Sequence, residues 1–171
     1  DGEPVSSTRI RQAILEGKMD EASRMLGRRF CLRLKVEHGN CIGRLLDFPT
    51  INQSFPQHHI VPRYGVYSTV VNVAGKLYGG VTNVGVKPTV GSDRPLSETY
   101  ILDYSGDLYG QTVEVYFFRF VRPEQKFSSI AELKEQIARD KEDVAQEVAQ
   151  NIEQMLFLDS RAQEPATFEK I

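Results

Sequence analysis

The feature that most restricts the fold is a long stretch of strand-type sequence, residues 30–122, that contains no helical pattern. At its start, Phe30, Leu32 and Leu34 alternate with polar or smaller residues, which is the period of a strand with one buried face. Further strands are predicted at residues 66–74, 77–84, 98–104 and 112–122. Parallel strands need crossover connections, usually helices, so this stretch predicts an antiparallel barrel or sandwich.

Helical patterns stand on both sides of the strand-rich stretch. Before it, Ser6 or Ser7 can cap one short helix and Asp20 a second, and neither helix is long enough to bury a core alone. After it, residues 129–132 form a Ser-x-x-Glu capping box, and apolar residues follow at helical spacing to about residue 156. The sequence therefore predicts two short helices, then strands, then one long helix lying on them.

Composition excludes several classes of protein. The 171 residues are 40% hydrophobic, which suits one folded domain with a short extra segment. With 21 basic and 23 acidic residues the net charge is −2, so we expect no nucleic-acid partner. No apolar run approaches the roughly 18 residues of a membrane span, so no membrane partner is expected. The two cysteines form neither a metal-type cluster nor a disulfide framework, which favours a reducing, cytoplasmic location.

The string around Pro49 is the most unusual local sequence. Thr50 and Asn52 are two residues apart, so in an extended backbone their side chains project to the same side. A hydroxyl and an amide oxygen are hard, neutral ligands that can hold Mg²⁺ together with phosphate and water. The alternative is a loop in which both side chains bond the local backbone, and the spacing by itself favours that alternative.

Two other segments have residues suited to chemistry. The string from Asn83 to Thr89 begins at the end of a predicted strand and offers Gly85 and Lys87 after it, and such a segment can cradle phosphate or simply connect two strands. Glu98 opens a strand that is otherwise β-branched, aromatic or aliphatic. Its carboxylate can act as a general base at a barrel mouth, although a charged residue at a solvated strand end is the commoner arrangement.

Several short strings stand in order along the chain and belong together. They are Ser6-Ser7-Thr8-Arg9-Ile10-Arg11, Leu26-Gly27-Arg28, Gly43-Arg44, Phe48-Pro49-Thr50-Ile51-Asn52, Gly65-Val66-Tyr67, Asn83-Val84-Gly85, Pro88-Thr89, Glu98-Thr99-Tyr100-Ile101-Leu102-Asp103, Leu108-Tyr109-Gly110, Arg122-Pro123-Glu124 and Lys126-Phe127. In order and spacing they resemble the riboflavin kinase module of bacterial bifunctional riboflavin kinase/FMN adenylyltransferases. The resemblance covers nearly the whole chain.

The resemblance implies a fold and a division of the chain. The family fold is a mainly β, six-stranded antiparallel Greek-key barrel, here with two short N-terminal helices and one long C-terminal helix. Residues 1–26 then correspond to remnant helices and a linker from an adenylyltransferase domain. Residues 27–158 correspond to the kinase barrel with its helix, and residues 159–171 to a polar, frayed tail.

The resemblance also implies an activity and a set of site residues. The family transfers the γ-phosphate of ATP to the 5′-hydroxyl of riboflavin and releases FMN. Thr50 and Asn52 match the positions that help hold the Mg²⁺ of Mg-ATP, Glu98 matches the base, and Arg122 matches a residue on the flavin side. The ATP-binding positions would be Gly43, Arg44, Pro49, Asn83 and Gly85.

The expected partners are small molecules and one domain. Riboflavin and ATP are the substrates that the resemblance implies, and the parent protein would carry an adenylyltransferase domain in cis. That domain needs a His-x-Gly-His string, which does not occur in this sequence, so we expect no FAD synthesis from these residues. The alternatives are a non-catalytic flavin- or nucleotide-binding barrel and an oligonucleotide-binding barrel, and the acidic balance argues against the second.

Overall fold

The computed structural model describes residues 4–39, 50–86 and 93–160. Its elements in chain order are α1 (Ser7–Leu15), α2 (Met19–Leu26), β1 (Phe30–Lys35), β2 (Thr50–Ser54), β3 (Gly65–Val73), β4 (Lys76–Val86), β5 (Pro95–Ile101), β6 (Thr112–Arg122) and α3 (Ile130–Ser160). The strands form one sheet in the order β1-β6-β3-β4-β5-β2, and every neighbouring pair is antiparallel. β3, β4 and β5 follow one another and β6 returns beside β3, which is a Greek key. The predicted fold class is confirmed.

The sheet curls until its two edge strands approach each other. The amide of Glu37, just after β1, donates to the carbonyl of Asn52 in β2 at 2.8 Å. Gln53 reinforces this closure from inside, because its side-chain nitrogen donates to the carbonyls of Leu34 (2.8 Å) and Val113 (3.0 Å). The result is a half-barrel with edges that touch near the middle of β2.

The inner face of the sheet holds the core, which is mainly apolar. Its largest fully buried side chains include Leu32, Tyr67, Val71, Val84, Val115 and Phe117. A line of hydroxyls crosses this core, with Thr82 bonded to Thr69 at 2.9 Å and to Thr99 at 2.8 Å, which satisfies groups that would otherwise be costly to bury. Burial raises the pKa of Tyr67, so its phenol stays protonated and donates to the Arg63 carbonyl at 2.6 Å.

The two short helices form as predicted and pack against the barrel. Ser6 caps α1 by accepting from the Arg9 amide at 3.3 Å. The prediction that Asp20 caps α2 is wrong: the helix already begins at Met19, with Lys18 at the N-cap and no side-chain cap bond. Asp20 lies in the first turn, where a carboxylate is favoured by the helix dipole, and it binds Arg29 at 2.6 Å.

The long helix α3 begins at the predicted capping box and covers the outer face of the sheet. Ser129 accepts from the Glu132 amide at 3.2 Å, and hydrogen bonds from Ser128 to the Glu132 carboxylate lower its pKa. Val144 and Val148 of α3 are buried, and Val148 packs on Gly79 of β4 so closely that a Cβ there would meet its methyls at 3.2 Å. The helix continues to Ser160, past the predicted tail boundary at residue 159.

In the part of the chain that the structure describes, no helix is both long and apolar enough to cross a membrane.

Candidate active site

Three of the predicted site residues form a row across three neighbouring strands. Asn52 of β2 is the register partner of Glu98 in β5, and Glu98 is the register partner of Asn83 in β4. Partners in antiparallel strands point to the same face, with Cβ atoms about 4.5–5.5 Å apart. The next residues along, Thr82 and Thr99, are buried in the core, so the row lies on the outer face. The sheet thus brings Glu98 between two amide side chains.

Thr50 extends this row along β2. It is the register partner of Tyr100, which lies two residues after Glu98, so both side chains share the outer face with Asn52. The extended backbone that the sequence analysis required of residues 50–52 is therefore observed. Thr50 and Asn52 present a hydroxyl and an amide to the same side of the sheet.

Asn52 packs closely against the chain that follows β1. A Cβ on Gly39 would overlap the side-chain amide of Asn52, so a glycine is needed at that position for the two segments to approach. Together with the Glu37 bridge, this contact ties Asn52 to the opposite edge of the curled sheet. The orientation of Asn52 is thus restricted on the side facing away from Glu98.

A positive charge from α3 lies at the Thr50 end of the row. The ammonium of Lys141 is 4.4 Å from the centroid of the Tyr100 ring, a cation–π contact. Lys141 was not among the predicted site residues. Helical spacing is the sequence feature that could have placed it near the sheet. Lys141 stands three and seven residues before the buried Val144 and Val148, so it lies on the helix face that meets the sheet.

A carboxylate from the segment after β6 lies at the opposite end of the row. The Asn83 side chain donates to Glu124 at 3.4 Å. A Cβ on Gly85 would overlap the same carboxylate, so the space above this glycine is filled by the chain itself. Glu124 was not predicted as a site residue, although it belongs to the Arg122-Pro123-Glu124 string.

Arg122 is close to this end but points to α3. Asn83 pairs with Val66 in β3, and Val66 pairs with Arg122 in β6, so two strand spacings separate Asn83 from Arg122. The guanidinium donates to both carboxylate oxygens of Asp140, at 2.7–3.1 Å, and to the Pro123 carbonyl at 3.2 Å. The side chains of Arg122 and Asp140 are 15% and 5% exposed, so this ion pair is largely shielded from solvent.

The remaining predicted positions lie outside the described residues. These are the ATP-binding candidates Gly43, Arg44 and Pro49. Among the residues that are described, no group of three or more His, Cys, Asp or Glu side chains is arranged to hold a metal ion. Thr50 and Asn52, the residues predicted to hold Mg²⁺, offer two neutral oxygen donors, and Mg²⁺ usually completes its coordination with phosphate oxygens and water.

Comparison with known sequences identifies the family. Residues 26–148 match the family described as Flavokinase: Riboflavin kinase. The chain belongs to the riboflavin kinase family. Membership confirms the family resemblance found in the sequence, and the matched residues include the strands that carry the outer-face row.

Two relatives carry names that agree with this family, and one solved structure shares the fold. A bifunctional riboflavin kinase/FMN adenylyltransferase from Listeria monocytogenes is 37% identical over 140 residues, which cover 81% of this chain and 45% of the relative. One of the same name from Escherichia coli K12 is 39% identical over 140 residues, covering 81% and 44%. A crystal structure described as a macrolide-efflux protein from Streptococcus pneumoniae superposes with a TM-score of 0.78 at 36% identity, covering 85% of this chain and 48% of that one. The chain thus spans less than half the length of these relatives.

Proposed function

We propose that this chain is an ATP-dependent riboflavin kinase, which transfers the γ-phosphate of ATP to the 5′-hydroxyl of riboflavin and releases FMN. The observation that carries the proposal is the row of Asn52, Glu98 and Asn83 in a member of the riboflavin kinase family. Phosphoryl transfer needs positioned substrates and neutralised charge more than covalent help from the protein. A row of polar side chains on a rigid sheet suits that requirement.

Thr50 and Asn52 would hold the Mg²⁺ of Mg-ATP. The donor set fits, because a hydroxyl and an amide oxygen are hard ligands and share one face of β2. When bound, Mg²⁺ would neutralise phosphate charge at this end of the row. Lys141, over the neighbouring Tyr100 ring, adds a positive charge on the same side.

Glu98 would accept the proton of the riboflavin 5′-hydroxyl. Strands in a sheet lie about 4.8 Å apart, so Glu98 is one strand spacing from Asn52. A hydroxyl hydrogen-bonded to the Glu98 carboxylate would then lie beside phosphate oxygens located near Thr50 and Asn52. Such placement of the two reactants can supply several kcal/mol of the barrier reduction.

The longer relatives suggest a larger parent protein. Their names include FMN adenylyltransferase, and this chain covers 45% or less of the two described above. We propose that an adenylyltransferase domain acts in cis in the parent protein and that residues 1–26 belong to its end. FAD synthesis would reside in that domain, and the whole protein would act in the cytoplasm.

The test is direct formation of FMN. The purified chain is incubated with riboflavin, ATP and Mg²⁺, and the flavins are separated by chromatography. We expect FMN that depends on protein and ATP and is abolished by EDTA. If neither the chain nor its full-length parent forms FMN above a no-enzyme control, the kinase proposal fails. Riboflavin binding without product would instead support a non-catalytic flavin-binding barrel.

A further inference from the structure

The two ends of the outer-face row carry opposite charges. At one end the Lys141 ammonium lies over Tyr100, the register partner of Thr50. At the other end the Glu124 carboxylate lies over Gly85 and accepts from Asn83. Glu98 stands between these ends, since it pairs with Asn52 on one side and with Asn83 on the other. The row is therefore polarised along its length.

The segment that carries Glu124 is held on both sides of it. Before Glu124, the Pro123 carbonyl accepts from the Arg122 guanidinium at 3.2 Å. After it, the Phe127 ring centroid lies 5.9 Å from the centre of the same guanidinium. Arg122 is itself fixed by Asp140, which also accepts from Gln136 at 3.0 Å. This network fixes the segment, while Glu124 remains exposed to solvent and accessible to a ligand.

The Glu124 carboxylate above Gly85 would interact differently with the two proposed substrates, ATP and riboflavin. It repels phosphate, and it accepts charge-assisted hydrogen bonds from hydroxyl groups. Riboflavin is uncharged and carries a chain of hydroxyls, whereas ATP is a polyanion. The space above Gly85 is thus unfavourable for the phosphate that the sequence pattern suggested there and favourable for a polyol.

We propose that Glu124 binds hydroxyl groups of the ribityl chain of riboflavin. This inference rests on the proposed kinase function. Riboflavin then enters at the end formed by Asn83, Gly85 and Glu124, and the ATP phosphates lie at the Thr50 and Lys141 end. Glu98 lies between the two, where the terminal hydroxyl of the chain meets the phosphate. Asn83 and Gly85 belong to the flavin side of the site in this arrangement, and Asp140 is a positioning residue that acts through Arg122.

The test compares two flavins that differ only in the hydroxyl chain. Lumiflavin has the ring system of riboflavin with a methyl group in place of the ribityl chain. Binding of each flavin is measured by flavin fluorescence without ATP, for the wild type, Glu124→Gln and the control Glu142→Gln. Glu142 is an exposed residue of α3, so its substitution makes the same charge change on another surface position.

We expect Glu124→Gln to weaken riboflavin binding about fivefold to tenfold, because a charge-assisted hydrogen bond becomes a neutral one. Lumiflavin binding and the KM for Mg-ATP should stay within about twofold of the wild type, and Glu142→Gln should change none of these values. Equal losses for both flavins, unchanged riboflavin binding, a raised KM for ATP alone, or the same loss in Glu142→Gln would each overturn the inference. A wild type that neither binds riboflavin nor forms FMN would instead overturn the proposed function, and this inference with it.

Discussion

At the scale of single residues, Glu98 lies in the middle of β5 and not at the strand end that the sequence pattern predicted. Amide side chains stand beside it on both adjacent strands, at Asn52 and Asn83. A carboxylate that only faces solvent at a strand end does not require amide side chains on both neighbouring strands. The arrangement suits the proposed role of Glu98 as a base within hydrogen-bond reach of a substrate hydroxyl.

Glu98→Gln should reduce kcat by about 10²–10⁴, because the amide keeps the shape of the side chain but cannot accept the proton. Residual turnover would come from positioning, and riboflavin binding should change little, since the carboxylate acts mainly as the proton leaves. Steady-state kinetics and flavin fluorescence give the two readouts. A variant with kcat within about twofold of the wild type would return Glu98 to the role of a solvated strand residue.

Thr50→Ala should weaken the use of Mg-ATP and leave the fold intact. The substitution removes one hard oxygen donor from a half-buried position at the start of β2. We expect a higher KM for Mg-ATP, partly compensated by added Mg²⁺, and a change in stability of about 0.5 kcal/mol or less. Thr112→Ala is the matched control, because Thr112 is an exposed threonine at the start of β6. Wild-type kinetics at every Mg²⁺ concentration would remove Thr50 from the site.

At the scale of elements, two arginines of β6 hold the long helix α3. Arg119 binds Asp143 and Glu147, each at 2.9 Å, and the hydrogen bonds that it donates to Glu147 are the main cause of its raised pKa. Its side chain is 42% exposed, whereas Arg122 and Asp140 are 15% and 5% exposed. The Arg122–Asp140 ion pair is therefore less screened by solvent than the ion pairs of Arg119.

Asp140→Asn should cost about 3–5 kcal/mol of unfolding free energy, because it leaves the Arg122 charge buried without its partner. Asp143→Asn should cost about 0–1 kcal/mol, since its ion pair is exposed and Glu147 still binds Arg119. Urea denaturation of both variants, followed by circular dichroism, measures the difference. Similar small costs for the two would mean that the Arg122 pair contributes no more than a surface ion pair.

At the scale of the whole molecule, the N-terminal helices and the barrel share one hydrophobic core. Ala13, Ile14, Met19 and Ala22 belong to the same buried cluster as the inner face of the sheet. Residues 1–26 were predicted to derive from a neighbouring domain, and that origin stays a prediction. Whatever their origin, α1 and α2 bury apolar surface that the barrel would otherwise expose.

Met19→Ala should therefore destabilise the barrel and not only the helix. Met19 is 1% exposed, and truncation of such a side chain typically costs about 2–5 kcal/mol. We expect a single, earlier unfolding transition by both far-UV circular dichroism and tyrosine fluorescence. Val5→Ala is the control, since Val5 is 61% exposed. Separate transitions for helix and barrel, or a barrel unaffected by Met19→Ala, would show that the N-terminal helices are an independent unit.

The sequence by itself determined the helices and five of the six strands and, through the family strings, the fold that they build; β2 was not among the strands that the residue pattern predicted. The alternation at Phe30, Leu32 and Leu34 and the capping box at residues 129–132 are local patterns, and local patterns report the period and ends of an element directly. The same locality explains the failure at Asp20. Asp20 is a residue type that favours the N-cap, but it is the second residue of α2. Gly17 has a positive φ and lets the chain turn so that the new helix already begins at Met19.

Only the tertiary structure decided how the site is assembled. Asn52, Glu98 and Asn83 lie far apart in the chain, and the register of three strands makes them neighbours. Lys141 and Glu124 reach the two ends of the row from α3 and from the segment after β6. Helical spacing places Lys141 on the helix face that meets the sheet, but it does not show which residue Lys141 contacts there. Strand register depends on long-range pairing and on the closure of the curled sheet, so a sequence pattern can show which face a residue takes but not which residue stands opposite it.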